Sequence, residues 1–240
     1  MQEGRTEVVM DSGLYIAASG MLAEQVRQDQ LANDLANTST PGYKPDTATQ
    51  HSFGALLLEN TSTGQPVGTL NTGVAIDKIV TDMAPAPLRQ TDQPLDFAIE
   101  GDGFFGVQTP GGVRYTRDGQ FTSSAAGLLT DSQGNQVLGQ GGGPIKVSAK
   151  GTVDASTLGV FKLTAPVKQG YNLFTGAAGG KATGLVKEGS LEQSGVDPVH
   201  TMVDMMGSLR AYEASQKAIQ SIDETLQKSA NQVGNLGGGG

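Results

Sequence analysis

The stretch after Asp197 constrains the fold more than any other part of this sequence. Asp197 is a good helix N-cap, and Pro198 stands at the first helical position, where a missing N–H costs nothing. From there Met202, Met205, Leu209, Tyr212, Gln216, Ile219, Asp223 and Leu226 recur in alternating steps of three and four, the heptad seam of a helix that packs lengthwise. At the α-helical rise, residues 198–233 span about 54 Å. A compact core built from 240 residues hardly needs such a helix.

A second helix is expected near the other end. Leu14, Ala18, Met21, Gln25, Gln28, Ala32 and Leu35 fall along one helical stripe, with Asp11 or Ser12 as the cap. The run Thr38-Ser39-Thr40-Pro41-Gly42 should stop it near Asn37, because hydroxyls compete for backbone carbonyls and a proline and a glycine follow. Both seams carry polar residues, Gln25 and Gln28 in one and Gln216 and Asp223 in the other, so neither helix is stable alone. Association must supply the missing burial. Periodicity leaves open whether the helices pair with each other or with neighbouring molecules.

The middle of the chain reads differently. With 35 glycines, 5% aromatic residues and no Trp, any core there is lean and turn-rich. Short apolar or alternating runs, such as residues 95–99, 104–108 and 159–163, lie between glycine-marked turns roughly ten residues apart. The turn Asp131-Ser132-Gln133-Gly134-Asn135 is one clear case. The expected class is therefore α+β: an antiparallel β-rich central domain with long N- and C-terminal helices. The expected order is a disordered tail over 1–10, a helix over 11–37, a loop or extended linker over 38–72, the β domain over 73–190, a helix with its lead-in over 191–233, and a Gly-rich tail over 234–240.

Charge and composition exclude several functions. A formal net charge of −8 repels phosphate backbones and anionic lipid, so neither nucleic acid nor membrane is an expected partner. Without cysteine, thiol chemistry, disulfides and thiolate metal sites are ruled out. No apolar run is long enough for a membrane span, and no charged-then-apolar start marks a cleaved signal peptide, so export is expected to use another route.

Few motifs hint at catalysis. Gly101, Gly103 and Gly106 spell G-x-G-x-x-G, but Phe104-Phe105-Gly106-Val107 reads as a strand where a dinucleotide site needs a helix N-terminus. His51 and His200 are isolated from other metal-ligand types. Asp102, Asp118 and Asp131 sit beside glycines in turns and complete no calcium loop. No serine lies in a nucleophile elbow, and Asn37-Thr38-Ser39 and Asn60-Thr61-Ser62 match the glycosylation acceptor only by short pattern. No catalytic residue, cofactor or metal is expected. Tyr212, on the seam, and Arg210 beside it are the better candidates for contacts.

Three ordered blocks bear a resemblance. Ala18-Ser19-Gly20-Met21, Asn33-Asp34-Leu35-Ala36-Asn37 and Thr40-Pro41-Gly42-Tyr43-Lys44 resemble the amino-terminal signature of flagellar rod and hook proteins. Leu95-Asp96-Phe97-Ala98-Ile99, Gly101-Asp102-Gly103-Phe104-Phe105 and Tyr115-Thr116-Arg117-Asp118-Gly119 are similar to the family's β-domain core. Gly189-Ser190-Leu191-Glu192, Ser194-Gly195-Val196-Asp197-Pro198 and Arg210-Ala211-Tyr212-Glu213 resemble its terminal helix and lead-in. Asp34 and Gly195 depart from the pattern, standing where the family usually has Asn; Gly195 permits a positive φ, a conformation Asn also tolerates. Val137-Leu138-Gly139 with Gly143-Pro144-Ile145 is more like the proximal rod branch than the distal one.

The resemblance implies a structural rod subunit at the flagellar basal body. Its terminal helices would pack as a coiled-coil-like assembly domain and transmit torque to the hook. The implied partners are further copies, other rod subunits, the hook or adjacent axial proteins, and the flagellar type III export apparatus. The implied assembly positions are Leu14, Met21, Asn33, Leu35, Asn37, Met202, Met205, Leu209, Tyr212, Ile219 and Leu226. The implied β-domain turn and core positions are Gly101, Asp102, Gly103, Phe104, Tyr115, Arg117 and Gly119. The competing reading is a free-standing β-rich binding or adhesion module whose helices pair internally; a cell-wall hydrolase lacks any identifiable carboxylate pair.

Overall fold

The computed structural model describes residues 3–52, 55–59, 66–71, 73–170 and 172–236. Two compact units result, one of Met1–Asn33, Asp46–Val80 and Val199–Gly240, the other of Asp34–Pro45 and Thr81–Pro198.

In the first unit, helix α1 covers Glu3–Ala36. It begins well before the Asp11 or Ser12 cap expected from sequence, because residues 3–10 hold no proline to stop it. Within the stretch expected as a loop or extended linker over 38–72, three segments form strands, as their threonines and leucines permit. Strand β1 (Asp46–Ser52) pairs with β4 (Val74–Thr81), and β2 (Ala55–Glu59) pairs antiparallel with β3 (Pro66–Asn71). Asn60-Thr61-Ser62 and the terminal glycines from Gly237 lie outside the described residues.

The second unit holds the β domain. Strand β5 (Leu88–Gln90) is followed by β6 (Phe97–Glu100), β7 (Phe104–Thr109), β8 (Gly112–Thr116), β9 (Thr122–Ser123), β10 (Leu129–Thr130) and β11 (Gln136–Leu138). A 3-10 turn at Ala155–Thr157 leads to β12 (Val160–Lys168), β13 (Leu173–Lys181), β14 (Leu185–Glu188) and β15 (Ser190–Glu192). Helix α2, over Pro198–Leu236, belongs from Val199 onward to the first unit. Seven strands share one sheet in the order β12-β13-β8-β7-β11-β10-β9. Because β12 also pairs with β7, through Val160↔Phe105 and Phe161↔Phe104, the strands β12, β13, β8 and β7 close on one another. Closure removes exposed edges.

Period-two alternation divides the core. On β7, Phe104 joins Tyr115, Phe174 and Phe161, while Phe105 and Val107 join a larger cluster with Phe97, Ile99, Phe121, Leu129 and Val137. Rings make up for the scarcity of apolar residues: Phe104 and Phe174 lie 5.4 Å apart, and Phe105 meets Phe121 edge-on at 5.3 Å. The 131–135 turn closes as an Asx turn, with Asp131 Oδ1 accepting from the N–H groups of Gln133 and Asn135.

Candidate assembly site

Within the second unit, three distant stretches of sequence meet. Helix α1 ends where Thr38 Oγ1 donates to the Leu35 carbonyl at 2.8 Å, and Asn37 Oδ1 accepts from Thr40 Oγ1. The chain turns through Gly42 at φ +63°, pressed so closely on the Arg117–Asp118 peptide that a Cβ there would overlap the Arg117 carbonyl. The Gly42 N–H donates to the Glu192 carbonyl at 2.8 Å, and the Gly195 N–H donates to the Tyr43 carbonyl at 2.9 Å. Asp34, buried, accepts 2.8 Å from the Tyr43 hydroxyl, a contact its carboxylate makes in place of an amide. Gly195 does not adopt the positive φ that it permits; it is needed because a Cβ would lie 2.9 Å from Pro45 Cδ.

At the centre of this junction lies a buried ion triad. Glu192 Oε1 accepts from Lys44 Nζ at 2.6 Å, and Glu192 Oε2 accepts from Arg117 Nη1 at 3.1 Å. The three side chains are only 1%, 1% and 5% exposed for Lys44, Glu192 and Arg117. Such a cluster is costly to bury unless most of its remaining donors and acceptors find partners, and here Arg117 Nε is left without one. Lys44 Nζ also donates to the Ala84 carbonyl, Glu192 Oε1 accepts from the Ala86 N–H, and Arg117 Nη2 donates to the Gly101 carbonyl at 2.8 Å. Arg117 also stacks 5.2 Å from the Phe104 ring centre. From β12, Lys168 places its Nζ 3.8 Å from the Tyr43 ring centre and donates to the Lys44 carbonyl.

Each resemblance block thus contributes one ion: Lys44, Arg117 or Glu192. Sequence reasoning selected Arg117 but missed Lys44 and Glu192, since single charged residues in polar loops read as solvent-exposed. The available signal was their place inside the blocks.

The remaining β-domain motif residues divide by role. Gly101 (φ +102°) and Gly103 (φ +135°) make the β6–β7 connection, and a Cβ on Gly103 would overlap Val160. Gly119 packs on the Phe97 carbonyl, leaving no room for a Cβ, while its own carbonyl accepts from the Phe97 N–H. Phe104 and Tyr115 are core, whereas Asp102 is exposed. Asp118 beside them is half-buried, and this desolvation, with like charge from Asp131 and Asp96, raises its pKa to about 6 against the opposing Gln120 N–H hydrogen bond.

In the first unit the two helices pair antiparallel. A Cβ on Gly13 would lie 3.4 Å from Ile222 Cδ1 and one on Gly20 would lie 3.6 Å from Ser215 Oγ, while Ser208 Oγ donates to Glu24 Oε2 at 2.6 Å. On α2 the inward stripe is Thr201, Met205, Ser208, Tyr212, Ser215, Ile219, Ile222 and Leu226. It shares Met205, Tyr212, Ile219 and Leu226 with the seam read from sequence, but takes the residue one position earlier elsewhere. Met202 and Leu209 are consequently about half exposed. On α1, Leu14, Met21 and Leu35 are half-buried, Asn33 is exposed, and Gly13, Gly20 and Glu24 lie against α2.

Among the described residues no three His, Asp or Glu side chains are grouped to hold a metal ion, and no helix is long and apolar enough to cross a membrane. His200 is exposed, 4.0 Å from Asp204 one helical turn on.

Comparison with known proteins covers the same three blocks. Residues 14–44 match the family model described as flagella basal body rod protein, residues 98–161 the flagellar hook protein FlgE/F/G D1 domain, and residues 187–233 the flagellar basal body rod FlgEFG protein C-terminal. The chain is 30% identical to the flagellar basal-body rod protein FlgF of Caulobacter vibrioides, covering 95% of this chain and all of that protein. It is equally similar to the flagellar hook-basal body complex protein FlhO of Bacillus subtilis, with the same coverage, and to FlgG of that organism, covering 91% of this chain and 97% of the relative.

Proposed function

The chain belongs to the flagellar basal-body rod proteins, and from that premise we propose that it polymerises through its terminal helices into the drive shaft that carries torque from motor to hook. It is a structural subunit of the basal body. The observation carrying the finer reading is that the paired helices leave large apolar side chains uncovered: Leu22, Met202, Val203, Met206 and Leu209 are each about half exposed or more. A module that bound through its β-domain loops would leave this surface without a partner. The buried triad supports rigidity, since it holds the chain segments that lead out of α1 and into α2 in one fixed arrangement.

We read the function as mechanical, with no reaction catalysed, and the subunit as passing through the flagellar export apparatus. Other rod subunits, the hook and adjacent axial proteins are its partners. A proximal position rests on Val137-Leu138-Gly139 and Gly143-Pro144-Ile145, although Val137, Leu138 and Ile145 are core residues and the Gly139 N–H closes a turn on Gly143. FlgF and FlgG relatives at the same identity leave that choice to experiment.

The test is motility. Cells whose only copy carries Leu209→Asp or Tyr212→Asp should not swim, while the purified variants keep the β-domain unfolding transition. Gln227→Asp, at an exposed position, should swim. Normal swimming by the Leu209 and Tyr212 variants refutes assembly through this helix.

A further inference from the structure

We infer that the polar cleft beside strands β5 and β15 receives a single carboxylate, an acidic side chain carried by another protein chain. The cleft lies wholly within the second unit, so the site does not depend on how the terminal helices pack.

Three stretches of chain form it: residues 38–41 after α1, Arg89 on β5, and residues 191–198 leading into α2. Main-chain hydrogen bonds pin each of them. Arg89 stands opposite Leu191 in the β5–β15 ladder, the Gln193 N–H donates to the Pro87 carbonyl at 3.0 Å, and the Gly42 N–H donates to the Glu192 carbonyl. The space between them is about 330 Å³, at the small end of ligand-sized clefts.

The charges around this space favour an anion. The exposed Arg89 guanidinium meets no carboxylate and no hydrogen-bond acceptor among the described residues, whereas Lys187 on β14 pairs with Glu100 at 2.8 Å. Glu192 also lines the cleft, but its carboxylate is shared by Lys44 and Arg117, so the triad behind it carries one net positive charge that salt screens poorly. Neither Asp92 nor Asp197, the acids that flank these segments in the chain, lines the cleft. On a chain of formal net charge −8 this makes a local positive site.

One guanidinium matches one carboxylate, which it holds through two parallel N–H groups, while a phosphate dianion calls for further cations. Ser39 and Gln193, both exposed, add side-chain donors, and Pro41 and Pro198 offer apolar sides for the CH2 stem of an Asp or Glu. Exposure decides the source. A lone ion pair in water is weak, so a free carboxylate is held poorly, but a side chain delivered by a docked protein arrives at high effective concentration.

NMR on the isotopically labelled full chain reads the recognition. N-acetylglutamate α-amide, titrated into the millimolar range, should shift the backbone amide signals of Ser39, Arg89 and Gln193 along a saturating curve, and the neutral N-acetylglutamine α-amide should not. Arg89→Gln should keep the parent's urea transition, because the side chain is exposed, and weaken binding several-fold; Arg89→Lys should weaken it less. No saturating shift, equal shifts with both probes, or binding unchanged in Arg89→Gln would overturn the site. Motility separates the sources. Cells whose only copy carries Arg89→Glu should spread several-fold less in soft agar, and Arg89→Lys should restore part of the loss. Parental swimming by the Arg89→Glu cells would overturn the protein-borne occupant even where the purified parent binds the probe. Because the titration needs no assembly, its failure is distinct from failure of the rod reading, which the Leu209 and Tyr212 variants test.

Discussion

Replacing Glu192 by Gln tests whether the junction holds as an ion triad. The carboxylate is 1% exposed and bridges Lys44 at 2.6 Å and Arg117 at 3.1 Å. The amide keeps one acceptor but places its NH2 against a donor, so one buried cation loses its counter-charge while remaining out of water. Breaking one partner of a buried ion pair costs about 3–5 kcal/mol, a large share of the roughly 5–15 kcal/mol by which domains are stable. At about 2–4 °C per kcal/mol for a chain of this size, Tm should fall by roughly 6–20 °C. The chain has no Trp, so unfolding is best followed by far-UV circular dichroism in urea. Lys44→Met combined with Glu192→Gln should cost less than the sum of the single changes, with a coupling of about 1–3 kcal/mol. Raising the salt concentration should change the loss little, because screening hardly reaches buried pairs. A loss below about 1 kcal/mol for Glu192→Gln, additive with Lys44→Met, would refute the triad as a stabilising unit.

Asp118 gives a pH signature. Its folded pKa, about 6, lies above the ordinary 3.8, so its contribution to stability is full below the lower value and is lost as pH rises through the upper one. Asp118→Asn, which keeps the acceptor for the Gln120 N–H, should gain roughly 2–3 kcal/mol over the parent at pH 7 and almost nothing at pH 3.5. Parallel stability curves for the two proteins across that range would sink the claim. For the β6–β7 connection, Gly103→Ala should cost about 3 kcal/mol or more and Gly101→Ala about 1–2 kcal/mol. Both have positive φ, but only at Gly103 would the new Cβ also overlap Val160 and lie 2.7 Å from Ala182 Cβ. Equal losses in urea titrations would show that the packing term is absent.

The two long helices, the glycine-marked strands and the strand that follows Gly103 were legible from sequence alone, since each depends on residues close together in the chain. The Asp131 turn and the stop after Ala36 are local in the same way: a side chain caps its own neighbours, and no distant partner is consulted. The three blocks also carried the family likeness without coordinates.

Only the tertiary structure decided which side of each helix turns inward. On α2, a seam through Met202 and Leu209 and one through Thr201 and Ser208 have the same three–four rhythm, and sequence favoured the greasier choice. The fold settled it otherwise: Gly13 and Gly20 of α1 face Ile222 and Ser215 of α2, and Met202 and Leu209 are left about half exposed. Lys44 and Glu192 were hidden for a related reason. A charge reads as surface until the fold brings its counter-charge, separated by 148 positions, within 2.6 Å in a place water does not reach.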